Sequence, residues 1–278
     1  MKPNWLKITL PQGSTYNKIR AIVKEYNLHT VCEQARCPNI GKCWAGRTVT
    51  FMILGDTCTR NCKFCAVKTG NPKGIVDKEE PKRVAQAVKN LALNYVVITS
   101  VTRDDLTDGG ASIFAQTIKQ TRKLNPNTKI EVLIPDFAGS SQALKTVLLA
   151  KPDVLAHNLE TVARLTPLVR DKRANYQTSL NILRLSKDTN PDIPTKSGIM
   201  VGLGEEEEEV KKTMLDLKMV GTEIITIGQY LKPSPNNWEV GNYISPEKFQ
   251  EFRQYGKALG FRQVLAGPLV RSSLRFAY

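Results

Sequence analysis

No apolar run in this sequence approaches the ~18 residues that a membrane-spanning helix needs. The opening Met1-Lys2-Pro3-Asn4-Trp5-Leu6-Lys7 has a basic residue but no continuous apolar stretch, so it does not read as a secretory signal. The expectation is a soluble, reducing compartment: the cytoplasm, or a mitochondrial or plastid matrix for an organellar mature form. Low-complexity segments, linker-like stretches and internal repeats are also missing. Cysteine is absent after Cys65, and histidine is limited to His29 and His157.

The six cysteines crowd between Cys32 and Cys65. An even count permits disulfides, but these are rare where cellular thiols are kept reduced, and a disulfide framework would spread its staples. Crowding favours metal ligation. The net charge is +14, with Lys and Arg scattered through the chain rather than gathered into an arm. No zinc-finger, homeodomain or RNA-recognition pattern accompanies them, so the charge alone does not choose between RNA and an acidic protein partner. Hydrophobic content of 41% and charged content of 24% are ordinary for a globular chain. A length of 278 residues suits one large domain or at most two modest ones.

From about residue 50 onward, short apolar runs alternate with helical periodicity. Expected strands cover 50–54, 95–100, 129–135, 153–159, 196–202, 223–230 and 262–266; they are rich in Val, Ile and Leu, as buried parallel strands are. The spacing of Val84, Ala87, Val88 and Leu91 predicts a helix over 80–93, with Pro81 in its first turn. Val210, Met214 and Leu217 mark another over 205–221. The acidic run 205–209 complements a helix N-terminus, and Met200, Met214 and Met219 are expected as core filler. Strand–helix–strand repetition implies right-handed crossovers, a parallel sheet and a site at the C-terminal strand ends. Residues 1–49 stand outside this repetition.

The second cysteine group, Cys58-Thr59-Arg60-Asn61-Cys62-Lys63-Phe64-Cys65, directly follows the first expected strand. A structural zinc site wants four ligands, usually from two Cys-x2-Cys knuckles. Three thiolates on a 4Fe–4S cluster instead leave one iron open to a substrate or cofactor. The pattern Cys-x3-Cys-x-Phe-Cys in this position resembles the signature of radical S-adenosylmethionine (SAM) enzymes. The resemblance implies that the open iron chelates the methionine end of SAM. An electron from the cluster then cleaves the sulfonium to give a 5′-deoxyadenosyl radical. Phe64 matches the family's aromatic position near the adenine.

The first group is Cys32, Cys37 and Cys43, within Val31-Cys32-Glu33-Gln34-Ala35-Arg36-Cys37-Pro38-Asn39-Ile40-Gly41-Lys42-Cys43-Trp44. Taken alone it could be a zinc site completed by His29. Its spacing and neighbours, and the gap to Cys58, resemble the auxiliary 4Fe–4S site of the lipoyl synthase family. That resemblance covers nearly the whole chain. It includes Thr50-Phe51-Met52-Ile53-Leu54-Gly55, the stretch from Tyr95 to Leu106 with Thr102-Arg103-Asp104-Asp105, and Asp108-Gly109-Gly110-Ala111. His157-Asn158-Leu159-Glu160-Thr161, Ser197-Gly198-Ile199-Met200-Val201-Gly202-Leu203-Gly204-Glu205, Gln229-Tyr230-Leu231 and Gly267-Pro268-Leu269-Val270-Arg271-Ser272-Ser273 complete it.

The resemblance implies an α/β fold, a partial (β/α)6-type radical SAM barrel over 50–261. An N-terminal extension over 1–49 would carry the auxiliary cysteines, and a C-terminal strand and tail over 262–278 would close that cluster. Cys58, Cys62 and Cys65 would hold the SAM cluster. Cys32, Cys37 and Cys43 would hold the auxiliary one, with Ser273 as an unusual fourth ligand, a harder donor than thiolate. Arg271 would hold a carboxylate or orient the substrate end, a surface ion pair being the alternative. Gly109 and Gly110 would approach SAM's methionine group. Asn158 and Glu160 would contact its ribose or methionine, a helix cap at Asn158 being the other reading, and 198–205 would meet the adenine.

The implied reaction inserts sulfur at two carbons, C6 and C8, of an octanoyl group amide-linked to a lysine of a lipoyl carrier domain. It consumes two SAM per lipoyl group and takes its sulfur from the auxiliary cluster. Implied partners are an octanoylated carrier (a 2-oxoacid dehydrogenase E2 or glycine cleavage H protein), a ferredoxin or flavodoxin-type reductant and an iron–sulfur carrier protein. A monomer without membrane or nucleic-acid partners is expected. The alternatives are a radical SAM methylthiotransferase acting on RNA and a zinc-stabilised nucleic-acid-binding protein. Three features depart from the family pattern: Leu274 replaces a usual tyrosine, the chain stops at Tyr278 instead of continuing as a polar tail, and Asn237-Trp238-Glu239 replaces a stretch that commonly holds histidine and Leu-Pro. All cluster ligands are intact.

Overall fold

The computed structural model describes residues 3–8 and 10–275; the end of the expected tail, Phe276 to Tyr278, lies outside the described residues, as do Met1 and Lys2 of the opening segment. The chain divides into two compact units. One is built from Ile8–Arg60 and Ala66–Val154; the other holds residues 3–7, Asn61–Cys65 and 155–275. No helix among the described residues is long and apolar enough to cross a membrane.

In the first unit, β2 (Thr50–Ile53), β5 (Tyr95–Ser100) and β6 (Lys129–Leu133) pair in parallel in chain order. They are connected through α4 (Glu80–Asn90) and α5 (Ala111–Leu124), and α6 (Ser141–Leu149) follows β6. Val84, Ala87 and Val88 of α4 are buried, as their spacing requires, and Pro81 stands in its first turn. The N-terminal segment is more ordered than its lack of repetition suggests. It forms α1 (Ser14–Glu25), β1 (His29–Thr30), α2 (Val31–Gln34) and α3 (Ile40–Ala45). Strand β1 adds antiparallel to β2, pairing His29 with Met52 and Thr30 with Phe51. Trp44, fully buried, stacks at 5.0 Å on Tyr16 of α1. A second small ladder, β3 (Thr57–Cys58) with β4 (Lys68–Thr69), is parallel and places Cys58 opposite Thr69.

In the second unit, β7 (Val154–Ala156), β8 (Thr195–Val201), β9 (Ile224–Gln229) and β10 (Gln263–Gly267) pair in parallel in chain order. Helices α7 (Thr166–Val169), α8 (Tyr176–Thr189), α9 (Glu207–Met219) and α10 (Pro246–Ala258) lie between them in sequence. Leu159, Leu183, Val201, Met214, Ile227 and Phe249 belong to one buried core there. Two expectations need correction. The strand over 153–159 is cut to β7, because Glu160 turns the chain at φ +70 and rejoins the ladder only as an isolated bridge to Ile199. Met219 is not core filler but 77% exposed. It lies two positions past Leu217, and two residues turn a helix by more than half a circle. Of the acidic run, Glu206 and Glu209 form a reciprocal capping box at the start of α9. Glu205 instead folds back to accept from the backbone N–H groups of Gly202 and Leu203.

Candidate cluster and cofactor sites

All six cysteines are free thiols. Cys32 lies in α2, Cys43 in α3, and Cys37 in the turn between, where its N–H donates to Cys32 O at 3.0 Å and its carbonyl accepts from Ile40. Burial pushes the Cys32 thiol up to about 11, and the neighbouring Cys37 and Cys43 push in the same direction. Burial and then Cys37 also raise Cys43. Such raised thiols suit a cationic group, because bound metal removes their protons. No three His, Cys, Asp or Glu side chains among the described residues close around a single metal ion. A cluster asks for something wider, since each thiolate binds a separate iron corner. The donor chemistry here, three thiols on neighbouring short elements, fits an iron–sulfur cluster.

The second cysteine loop crosses the division between the units, and each half is fixed by its own unit. On the first side, Thr59 N–H donates to Thr102 O at 2.9 Å and Gly70 N–H donates to Cys58 O at 2.9 Å. Arg60, between the cysteines, is buried and grips two carboxylates. Its Nε and Nη2 donate to Asp104 at 3.0 and 2.8 Å, and its Nη1 and Nη2 donate to Asp136 at 2.6 and 2.7 Å. Burial alone would favour a neutral guanidine, but the two carboxylates hold Arg60 firmly charged. The Arg60 N–H also points at Cys58 Sγ, 3.4 Å away. On the second side, Asp171 N–H donates to Cys62 Sγ at 3.3 Å, its carboxylate accepts from Asn61 N–H at 2.9 Å, and Lys63 N–H donates to Val169 O at 2.8 Å. Asp171 is held well below the usual carboxylate range, chiefly by Arg173. Backbone N–H groups aimed at the two sulfurs hold them in place. Phe64 packs on the core of its unit.

The residues assigned to SAM by resemblance fall in the loops after β5 and β7 and along the second half of β8 and the turn after it. In the first unit, Gly110 is the N-cap of α5 at φ +88, and a Cβ there would sit 2.2 Å from Leu54 Cδ1. Asp108 accepts from Gly110 and Ser112 N–H groups at 2.9 and 2.8 Å, which fixes the turn. In the second unit, Asn158 caps no helix, and its Nδ2 donates to Glu160 Oε1 at 3.0 Å. Its buried Oδ1 has no partner among the described residues. Burial raises the Glu160 carboxyl, while Arg170 and Asn158 oppose the rise. A Cβ on Gly198 would lie 2.9 Å from that same Oδ1 and 2.8 Å from Thr226 Oγ1. An orphaned amide oxygen beside an absent side chain, next to a buried carboxyl on backbone at φ +70, is a cradle for a polar ligand. Such a cradle fits SAM.

Ser273 and Arg271 lie in the segment after β10, in the same unit. Its course is set by Gly228, whose hypothetical Cβ would come within 2.1 Å of Val270 O. Arg271 Nη1 donates to Val270 O at 2.6 Å, and Lys196 Nζ donates to Leu274 O at 2.6 Å. Gly228→Ala is therefore expected to displace residues 268–274 and to lower stability by about 1–3 kcal/mol. Urea denaturation of parent and variant measures this, and equal midpoints would show that the carbonyl yields without cost. Sequence reasoning missed the supporting residues Arg60, Asp104, Asp136 and Asp171. The one available signal was a lone arginine between two cysteines with paired aspartates at Asp104 and Asp105.

Parallel strand–helix repetition with a three-thiol loop after the first parallel strand defines a radical SAM protein. The model for the "Radical SAM superfamily" matches residues 52–217, and that for the "N-terminal domain of lipoyl synthase of Radical_SAM family" matches residues 1–37. Lipoyl synthase of Thermus thermophilus is 56% identical over 99% of this chain and 85% of its own. That of Caldicellulosiruptor saccharolyticus is 53% identical over 98% and 95%. Among solved structures, methylornithine synthase covers 90% of this chain and 81% of its own at TM-score 0.59 and 14% identity. Streptococcus suis SuiB bound to S-adenosylmethionine covers 92% and 56% at TM-score 0.58 and 8% identity; at these identities both show the fold alone. The chain belongs to the lipoyl synthase family, and with it to the enzymes that use SAM and iron–sulfur chemistry.

Proposed function

We propose that this enzyme inserts two sulfur atoms, at C6 and C8, into an octanoyl group carried on a lysine of a lipoyl carrier domain. Family membership over almost the whole chain, with both cysteine triplets in place, carries the reading. Cys58, Cys62 and Cys65 would hold a 4Fe–4S cluster with one open iron. Cys32, Cys37, Cys43 and Ser273 would hold a second cluster. When bound, the two groups would supply the electron that splits SAM and the sulfur that is inserted. The protein's own part is positional. Arg60 and Asp171 fix the two halves of the cysteine loop, Asn158 and Glu160 offer polar contacts to SAM, and the close packing of 268–274 on Gly228 sets where Ser273 stands. Excluding water protects a reactive radical.

Anaerobic reconstitution tests the reading. Iron and sulfide are counted, and the chain is then given SAM, a reductant and an octanoyl-lysine peptide. Two clusters per chain and a doubly thiolated peptide are the expected result. Colourless protein, or a peptide without added sulfur, would sink it.

A further inference from the structure

We propose that Asn237 and Trp238 form a clamp that positions the part of the cysteine loop carrying Cys65 against the turn after β8, and thereby sets the pose of SAM. The clamp's role toward SAM rests on the functional reading above. Asn237 Nδ2 donates to two loop carbonyls, Lys63 O at 3.0 Å and Cys65 O at 2.8 Å. Its Oδ1 accepts from Ser234 Oγ at 2.6 Å, which fixes the amide so that the NH2 group faces the loop. The next residue reinforces the hold, as Trp238 N–H donates to Lys63 O at 2.9 Å. The Lys63 ammonium lies 5.2 Å from the indole centroid. Cation–π attraction adds to the hydrogen bonds there.

The other end of the clamp reaches the cofactor side. Trp238 Nε1 donates to Leu203 O at 3.0 Å, inside 198–205. Tyr230 OH, at the end of β9, donates to Trp238 O at 2.7 Å and fixes the backbone between the two grips. One short segment therefore joins a cluster-ligand loop to the strand-end turn matched to the adenine. Val169 and Asp171 hold the Cys62 side of the loop independently, so loss of the clamp should free mainly the Cys65 side. This is also the place where Asn237-Trp238-Glu239 departs from the family pattern. Both side chains are only half-buried, so substitutions there should leave the core intact.

Asn237→Asp is the sharpest probe, since it keeps the shape but turns acceptor oxygens toward two carbonyls. In the chain without clusters, deuterium exchange over residues 63–66 and at the Trp238 amide should rise about tenfold, the loss expected for one or two hydrogen bonds. After reconstitution, titration of SAM into the reduced chain, followed by the electron paramagnetic resonance signal, should show a Kd raised about tenfold. Asn237→His, which keeps an N–H donor, should recover part of both. Trp238→Phe keeps the ring but loses the bond to Leu203, so it should raise the SAM Kd while leaving exchange over 63–66 near the parent's. An Asn237→Asp chain with parental exchange and parental SAM affinity overturns the clamp. Faster exchange with unchanged SAM affinity also overturns it, reducing the contacts to a local brace. The parent is measured first: a parent that binds no SAM overturns the functional reading itself, independently of any variant.

Discussion

Cys58→Ala should abolish SAM cleavage outright, whereas Cys37→Ala should leave cleavage running and stop sulfur insertion. The two cysteines belong to donor sets with different surroundings. Cys58 sits in a two-residue strand, its carbonyl taken by Gly70 N–H and its sulfur facing the Arg60 N–H. Cys37 sits between two short helices, within electrostatic reach of Cys32 and Cys43. Removing Cys58 leaves two thiols, too few to retain a cluster that would already leave an iron open, whereas removing Cys37 leaves two thiols and Ser273 at a site that SAM would not meet. If the Cys58 site reduces SAM and the Cys37 site supplies sulfur, the defects must separate. 5′-Deoxyadenosine release reports the first step and the mass of an octanoyl-lysine peptide reports the second. Variants that fail alike in both assays would show that the division of labour is wrong.

Arg60→Met should cost about 3–5 kcal/mol, because it takes the cation away from the buried Asp136 carboxylate. The guanidinium and the Asp136 side chain are 5% and 1% exposed. Water therefore cannot take over the ion pair, and the surface rule that such pairs are worth little does not apply. Arg60→Lys should recover only part of the loss, since an ammonium cannot serve both carboxylates with the planar fork that Arg60 uses. Combining Arg60→Met with Asp104→Asn and Asp136→Asn should restore most of the stability, because the penalty is uncompensated charge rather than lost packing. Urea denaturation of the four chains decides it. A triple variant as unstable as Arg60→Met would place the cost in packing. Thr69 Oγ1 also donates to Arg60 O at 3.2 Å, so loosening here should reach Cys58 through the β3–β4 ladder.

The parallel strands β2 and β5 to β10 were legible in the sequence, because buried parallel strands are written as short Val/Ile runs that their two covered faces demand, whereas the two-residue parallel strands β3 and β4 were not. Strand β1 was not legible. Two residues, His29 and Thr30, carry no periodicity, and only pairing with Met52 and Phe51 makes them a strand. The cysteine triplets were visible because thiol spacing is chemistry written in one dimension. Their supports were not, since Arg60 meets Asp136 across 76 positions and Asn61 meets Asp171 across 110. Met219 failed for a different reason, as methionine composition says nothing about which face of a helix it occupies.

The segment that carries Ser273 has a further consequence, for traffic. It is pinned where Val270 O closes on Gly228, where Val270 N–H meets Gly267 O at 3.0 Å, and where Lys196 lends its ammonium to Leu274 O. Lys196 is 1% exposed, so a segment that swung aside would take an acceptor from a buried ammonium. Residues 268–274 are therefore expected to behave as a wall and not a door. On the proposed function, a long acyl arm on a carrier is expected to enter elsewhere, and the rate of its entry should not depend on motion of this segment.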